Sequence, residues 1–408
     1  MTSEERRENR YRRRKAKREE RRKARSQACG NFEEIFSYKK LFESAKKCCR
    51  GVDWKNSTQN YRFNIATNVA KTRRELLNGT YKGKGFTEFD IVERGKKRHI
   101  KSVHISERVV QRTLCDKALV PMFAPAMIYD NGASMKGKGI SFAVRRVDKH
   151  LRQHYRKHGN EGYVLTFDFS RYFDNANHEP IQAELERRIH DVNVRKLANQ
   201  CLEAFGPAGY GLGSQISQIA AIMLPNKLDH IIKQELGIKG YARYMDDGYL
   251  IHESKVHLKH CLERIKEVCD ELGIILNPKK TKISMLKHGF KFLKINFKLT
   301  ATGKVLKRMS KESVRAMKRK LEKFKKWNEN GREVVINGER ITKKFTLADA
   351  CAAYASWRSH MLKGDNYYRV KRMDERFRKL FGVNPANKKE WKEVFACTEL
   401  ETQLRVHC

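Results

Sequence analysis

The chain has 408 residues, 40% of them hydrophobic, which suffices for two or three packed domains. Lys and Arg number 88 against 47 acidic residues, a net charge of +41. So large a surplus opposes compaction unless a polyanion neutralises it, which argues against a merely solvated surface and for nucleic acid as partner. The ten cysteines are scattered with no CxxC spacing, which argues for reduced thiols in the cytoplasm rather than a disulfide framework or zinc site. No apolar run is long enough to span a membrane, so no membrane partner is expected.

In chain order, residues 1–28 form a separate basic arm. Between Glu4 and Arg25 there are 13 Lys/Arg and 5 Glu, with almost nothing apolar to bury. Such a segment is expected to be disordered or a lone charged helix, and reads either as a solvated tail or as an arm that orders along nucleic acid. A helical extension at 29–74 contains "FEEIFSYKKLFESAKKCCRG", a helical pattern stopped by Gly51. Next, "GFTEFDIVERGKKRHIKSV" gives two strand-like runs joined by the turn "ERGKK", and "SERVVQRTLCDKALVPMF" predicts a helix capped by Ser106. Towards the C-terminus, Val314, Met317, Leu321 and Phe324 stand at helical spacing in a block, 301–380, with 23 Lys/Arg against 9 acids. Its Tyr354, Trp357, Tyr367 and Tyr368 suit either a core or stacking contacts to bases.

Two stretches between these blocks carry chemistry. "YVLTFDFSRYFDNANH" (163–178) alternates like a strand and presents Asp168. "ARYMDDGYLIHE" (242–253) reads as a β-hairpin with Asp246 and Asp247 at its apex. Asp-Asp-Gly alone is ordinary turn chemistry. One antiparallel sheet could, however, gather all three carboxylates, which would repel one another unless divalent cations lay among them. Mg²⁺ takes a few carboxylate oxygens together with substrate phosphates, so the pattern points to a metal-phosphate site with two ions.

Five segments in order then resemble the palm motifs of reverse transcriptases: "FDFSRYFD", "GLGSQISQ", "YMDD", "LNPKKTKI" and "GFKFLKINF". "IVERGKKRHI" and "SERVVQRTL" resemble the fingers motifs of the prokaryotic branch. The resemblance implies an α+β right-hand polymerase: fingers at 75–160, a palm with an antiparallel sheet at 161–300, a helical thumb at 301–385 and a tail at 386–408. It implies that Asp168, Asp246, Asp247 and the carbonyl of Phe169 hold two Mg²⁺, or Mn²⁺. Phe173 would stand under the sugar as a steric gate, although a core aromatic is the competing reading. Ser214, Gln215 and Gln218 would meet the nucleotide and template base, and Arg98, helped by Lys97, would clamp the triphosphate. Lys280, with Lys279 as rival, would protonate pyrophosphate, and a solvated lysine is the other reading.

Nucleic-acid contacts are implied for Arg108, for Lys136 and Lys138 in "YDNGASMKGKGISFAVRRV", and for Lys294. Lys294 stands where the family carries glycine, which would add a phosphate contact at the expense of the usual tight turn. The ending Ser217-Gln218 replaces the commoner Ser-Pro and resembles diversity-generating retroelement reverse transcriptases. The partners implied are an RNA template (a structured non-coding RNA), nascent DNA, dNTPs and, where the system has one, an accessory protein. Antiviral defence and retron-type roles share these motifs. Two other classes stay open: an RNA-dependent RNA polymerase, told apart by its use of rNTPs, and a non-catalytic RNA-binding scaffold, against which the three aspartates speak.

Overall fold

The computed structural model describes residues 2–93, 96–336, 339–343, 345–387, 389–391 and 393–394. Arg94 and Gly95 of the expected turn, and residues 395–408 of the expected tail, lie outside the described residues. The chain divides into two compact units, one from the described residues of Met1–Arg146 and Leu165–Ile283, the other from those of Val147–Val164 and Ser284–Cys408.

The first unit opens with one long helix, α1 (Ser3–Cys29), started by a reciprocal cap between Thr2 and Glu5 and burying no side chain. The pattern that follows breaks in two at Phe36 and Ser37, giving helices Phe32–Ile35 and Tyr38–Cys49. Helices Tyr38–Cys49 and Asn56–Phe63 pack against Ile105–Leu114, and Ile65–Leu77 packs against Tyr38–Cys49 and Asn56–Phe63. Ile105–Leu114 is capped two residues earlier than its sequence suggests: His104 is the cap in place of Ser106, its imidazole accepting the orphan amide of Ser106. Strands β1 (Phe86–Glu93) and β2 (Lys96–Val103) form the expected antiparallel hairpin.

A four-stranded sheet lies beyond it, built from β3 (Tyr163–Asp168), β4 (Gly240–Tyr244), β5 (Asp247–His252) and β6 (Lys282–Met285) in the order β4-β5-β3-β6. β3 and β5 are the interior strands, and consecutive residues of each are buried, so both of their faces are covered. Tight packing sets the residue after the aspartate pair: a Cβ at Gly248 would lie 2.3 Å from the Phe167 ring, so only glycine lets β5 and β3 close.

In the second unit, β7 (Phe290–Phe292), β8 (Ile295–Leu299) and β9 (Val305–Met309) form an antiparallel meander. Its first turn is the two-residue Leu293-Lys294, both at positive φ (50° and 65°). The tight turn therefore forms with lysine in the glycine position, at the cost of a left-handed conformation for two ordinary residues, each roughly 1 kcal/mol. Helices Lys311–Asn330, Leu347–Met361 and Tyr367–Phe381 bury Met317, Leu321, Phe324, Tyr354 and Phe377 together, as the helical spacing at 314–324 predicts. The block is not purely helical: strands β10 (Arg332–Ile336) and β11 (Glu339–Lys343) form a hairpin inside it.

Candidate active site

Asp168 ends β3 and is buried, 7% exposed. β4 and β5 pair Tyr244 with Asp247, which leaves Met245 and Asp246 as the two-residue turn: Asp246 stands at the apex as the sequence suggests, whereas Asp247 already opens β5. Met245 takes φ 55°, a left-handed conformation that an ordinary side chain adopts only when its surroundings impose it. A backbone bond from the Phe169 amide to the Asp246 carbonyl (3.0 Å) joins the end of β3 to this turn, so strand pairing fixes Asp168 beside Asp246.

The electrostatics follow from that placement. Burial, and next the charge of Asp168, push the Asp246 carboxyl above the ordinary range, while Lys280 and Arg98 pull the other way. Lys280 donates to Asp168 Oδ2 at 2.6 Å although its side chain is 52% exposed. Its aim is set by Asn277, which donates its amide to the Asp168 carbonyl (2.8 Å) and whose own carbonyl accepts the amides of Lys280 and Thr281. Lys279, the rival, is exposed and bonds Asn277 Oδ1 only through its backbone. The sequence reading put Lys280 ahead of Lys279, and the turn geometry gives the physical difference between them.

Among the described residues no group of three or more His, Cys, Asp or Glu side chains is gathered closely enough to hold a metal. The expected cluster is thus a pair, Asp168 and Asp246, with Asp247 opening β5 next to it. A pair still fits Mg²⁺ or Mn²⁺, which bind through one or two carboxylates completed by substrate phosphates and water. The donor set is hard oxygen throughout, which suits those ions and not a thiophilic metal.

The other expected site residues divide. Arg98 lies on β2 opposite Ile91, and its charge reaches Asp246. Lys97 does not share that face: successive strand side chains alternate, and Lys97 is paired with Asp90 at 2.9 Å. Phe173 sits half-buried in the short helix Tyr172–Asn175, edge-on to Tyr172. The loop behind it needs Gly209 (φ 82°), since a Cβ there would lie 2.6 Å from the Asp174 carbonyl. Ser214 is buried and donates to Gln111 at 2.6 Å, Gln215 donates to Asp116 at 2.9 Å, and Gln218 is exposed on the helix Gln215–Met223. Of these three, only Gln218 faces solvent without a contact that already accounts for it.

Arg108 is half-buried and bonds Ser102; Lys136 is exposed. Lys138 donates to the Tyr129 carbonyl at 2.7 Å and lies over the Tyr129 and Phe142 rings, and burial there pulls its pKa down. Lys294 is exposed in its turn within the second unit.

One residue escaped the sequence reading. Arg243, 0% exposed, forms an ion pair with the equally buried Asp229 (2.6 Å) and donates to the carbonyls of Met245 (2.9 Å) and Ile222 (3.0 Å). Burial disfavours its charge, but Asp229 outweighs that and holds its pKa above the ordinary value. It thus grips the strained turn residue next to Asp246 from beneath. The available signal was an arginine inside an apolar strand, which needs a buried acid elsewhere in the chain.

A sequence model of the family described as reverse transcriptase (RNA-dependent DNA polymerase) matches residues 82–297, just over half of the chain. Protein YkfC of Escherichia coli (strain K12) is 25% identical, across 60% of this chain and 74% of that protein. Telomerase from Candida albicans, solved in complex with a TWJ fragment of telomeric RNA, aligns at TM-score 0.42 and 12% identity over 71% of this chain and 55% of that one. Telomerase from Candida tropicalis with a TWJ fragment gives TM-score 0.42 and 12% identity over 77% and 61%. The chain spans between half and two thirds of the length of these telomerase chains.

Proposed function

Because the chain belongs to the reverse transcriptase (RNA-dependent DNA polymerase) family, we propose that it extends a primer 3′-hydroxyl with dNTPs on an RNA template. The observation that carries this reading to named residues is the Asp168–Asp246 pair, fixed by the Phe169–Asp246 backbone bond and countered by Lys280 at 2.6 Å. Asp168 and Asp246, with the Phe169 carbonyl and Asp247 beside them, are the proposed holders of Mg²⁺ or Mn²⁺. Such ions, when bound, lower the pKa of the attacking hydroxyl and neutralise the leaving pyrophosphate.

The protein's own groups supply positioning and charge, which is most of what phosphoryl transfer asks of a polymerase. Arg98 offers a planar fork to the triphosphate oxygens. Lys280, poised on Asp168, is the proposed proton donor to pyrophosphate. Phe173 is the proposed gate under the sugar, half-buried and so able to present a ring edge without leaving its place. Gln218, exposed at the end of the first turn of its helix, is the member of the Ser-Gln ending free to meet the template, whereas Ser217 is buried and bonds the Tyr210 carbonyl. On that ending rests the finer proposal of a diversity-generating system copying a dedicated structured RNA, with antiviral defence as the neighbouring role.

Asp246→Asn tests the reading, since it removes a metal-binding charge with almost no change in volume. We expect primer extension to fall by at least about 10³-fold while the thermal transition is kept. Extension at the wild-type rate would end the assignment of the pair.

A further inference from the structure

The basic arm is a one-sided surface. At 100° per residue, Arg6, Arg7, Arg10, Arg13, Arg14, Lys17, Arg18, Arg21 and Arg25 fall within an arc of about 140° on α1. No glutamate lies in that arc. All five, Glu4, Glu5, Glu8, Glu19 and Glu20, share the remaining surface with Arg12, Lys15, Arg22 and Lys23, which nearly balance them. A helix that served only as a soluble tail has no physical reason to sort its charges this way.

The body of the first unit holds α1 by a different side. The helix packs against Cys115–Leu119, Val120–Phe123 and Glu179–Arg188. Its half-buried residues, Arg22, Ser26 and Cys29, follow at i, i+4 and i+7, and Ser26 accepts the His190 amide at 3.4 Å. That seam runs along the edge of the glutamate side, so the arginine face is turned out and remains exposed along its whole length. From Arg6 to Arg25 it measures about 28 Å.

We infer that α1 is a rigid docking helix whose arginine face lies along the phosphates of a double-stranded RNA segment. Arginine forks match phosphate oxygens, and a straight row of cations matches a regular row of charges. Single strands are bound with aromatic platforms, and the arc contains no aromatic residue; Tyr11 falls outside it. A membrane surface would need an apolar face opposite the basic one, and here that face carries mixed charge. The choice of RNA over DNA rests on the proposed function; the charge-sorted face does not.

Two variants of the full-length protein separate a patterned surface from bulk charge. Arg10→Gln/Arg14→Gln/Arg21→Gln and Arg12→Gln/Lys15→Gln/Lys23→Gln each remove three cations, from opposite sides of α1. Both are made in the Asp246→Asn background, so that binding is read whether or not the catalytic assignment holds. With an RNA hairpin of about 20 base pairs as probe, we expect the first to bind about 10- to 100-fold more weakly at about 0.15 M salt, with its log–log salt slope flatter by about 2–3. The second should stay within about threefold, both keeping their helical circular dichroism. Equal losses in the two variants, no loss in either, or the same loss on a single-stranded RNA of equal length would overturn the inference.

Discussion

At the scale of single residues, the proposed site depends on groups that never touch substrate. Arg243 supports the turn that carries Asp246, and its loss separates stability from geometry. Arg243→Met leaves Asp229 buried and unpaired, and should destabilise the protein by about 3–5 kcal/mol in chemical denaturation. The double variant Arg243→Met/Asp229→Leu should recover most of that stability. It should still show a kcat lowered at least about tenfold with little change in KM for dNTP, because the Met245 carbonyl has lost its anchor. Full recovery of kcat together with stability would reduce Arg243 to a core residue. At Phe173 the outcome to look for is sugar choice: Phe173→Ala should admit rNTPs by about 10²-fold relative to wild type in single-nucleotide extension, and unchanged discrimination would make the ring packing only.

The hairpin β1–β2 sorts its charges by face, and this has a pH signature. His99 contacts Asp90 (3.0 Å) and Glu88 (2.8 Å) on the face that also holds Lys97, and hydrogen bonds to those two carboxylates raise its pKa above 6.5. A raised histidine stabilises the folded hairpin fully below its unfolded pKa and loses that contribution as pH rises through the folded one. Amide protection over 86–103 should therefore decline from about pH 6.5 upward, and Asp90→Asn should lower the His99 titration midpoint seen by NMR. A midpoint unmoved by that substitution would count against the pairing.

The same hairpin shows what was legible in sequence. Its alternation and turn chemistry gave both strands, and the two carboxylate-bearing segments gave the heart of the site, because period-two patterning and turn residues are local signals. Elements whose form depends on distant partners were less visible. Lys97, expected to help Arg98, is held instead by Asp90 of the facing strand. Lys280 is distinguished from Lys279 by Asn277, and the glycine-free turn at Leu293-Lys294 is held by the meander around it. The hairpin β10–β11 was legible and overlooked: "VVINGERIT" carries Asn-Gly between strand-forming runs, a strong hairpin signal submerged in a basic helical block.

For the molecule as a whole, a net charge of +41 makes folding and partner binding share one electrostatic cost. Nucleic-acid-free protein should melt at higher temperature as NaCl rises from about 0.05 to about 0.5 M, by about 2–4 °C for each kcal/mol of repulsion screened. A polyanionic RNA at low salt should give the same rise, and a melting temperature indifferent to both would mean that the surplus is already compensated within the fold. Against this background the contact of Lys280 with Asp168 acquires another meaning. In the proposed site Asp168 carries a resident counter-ion of its own, a tethered ammonium on a flexible stem. On the proposed reading, architecture and metal loading are thereby uncoupled: the site stands assembled before its ions and its nucleotide arrive together.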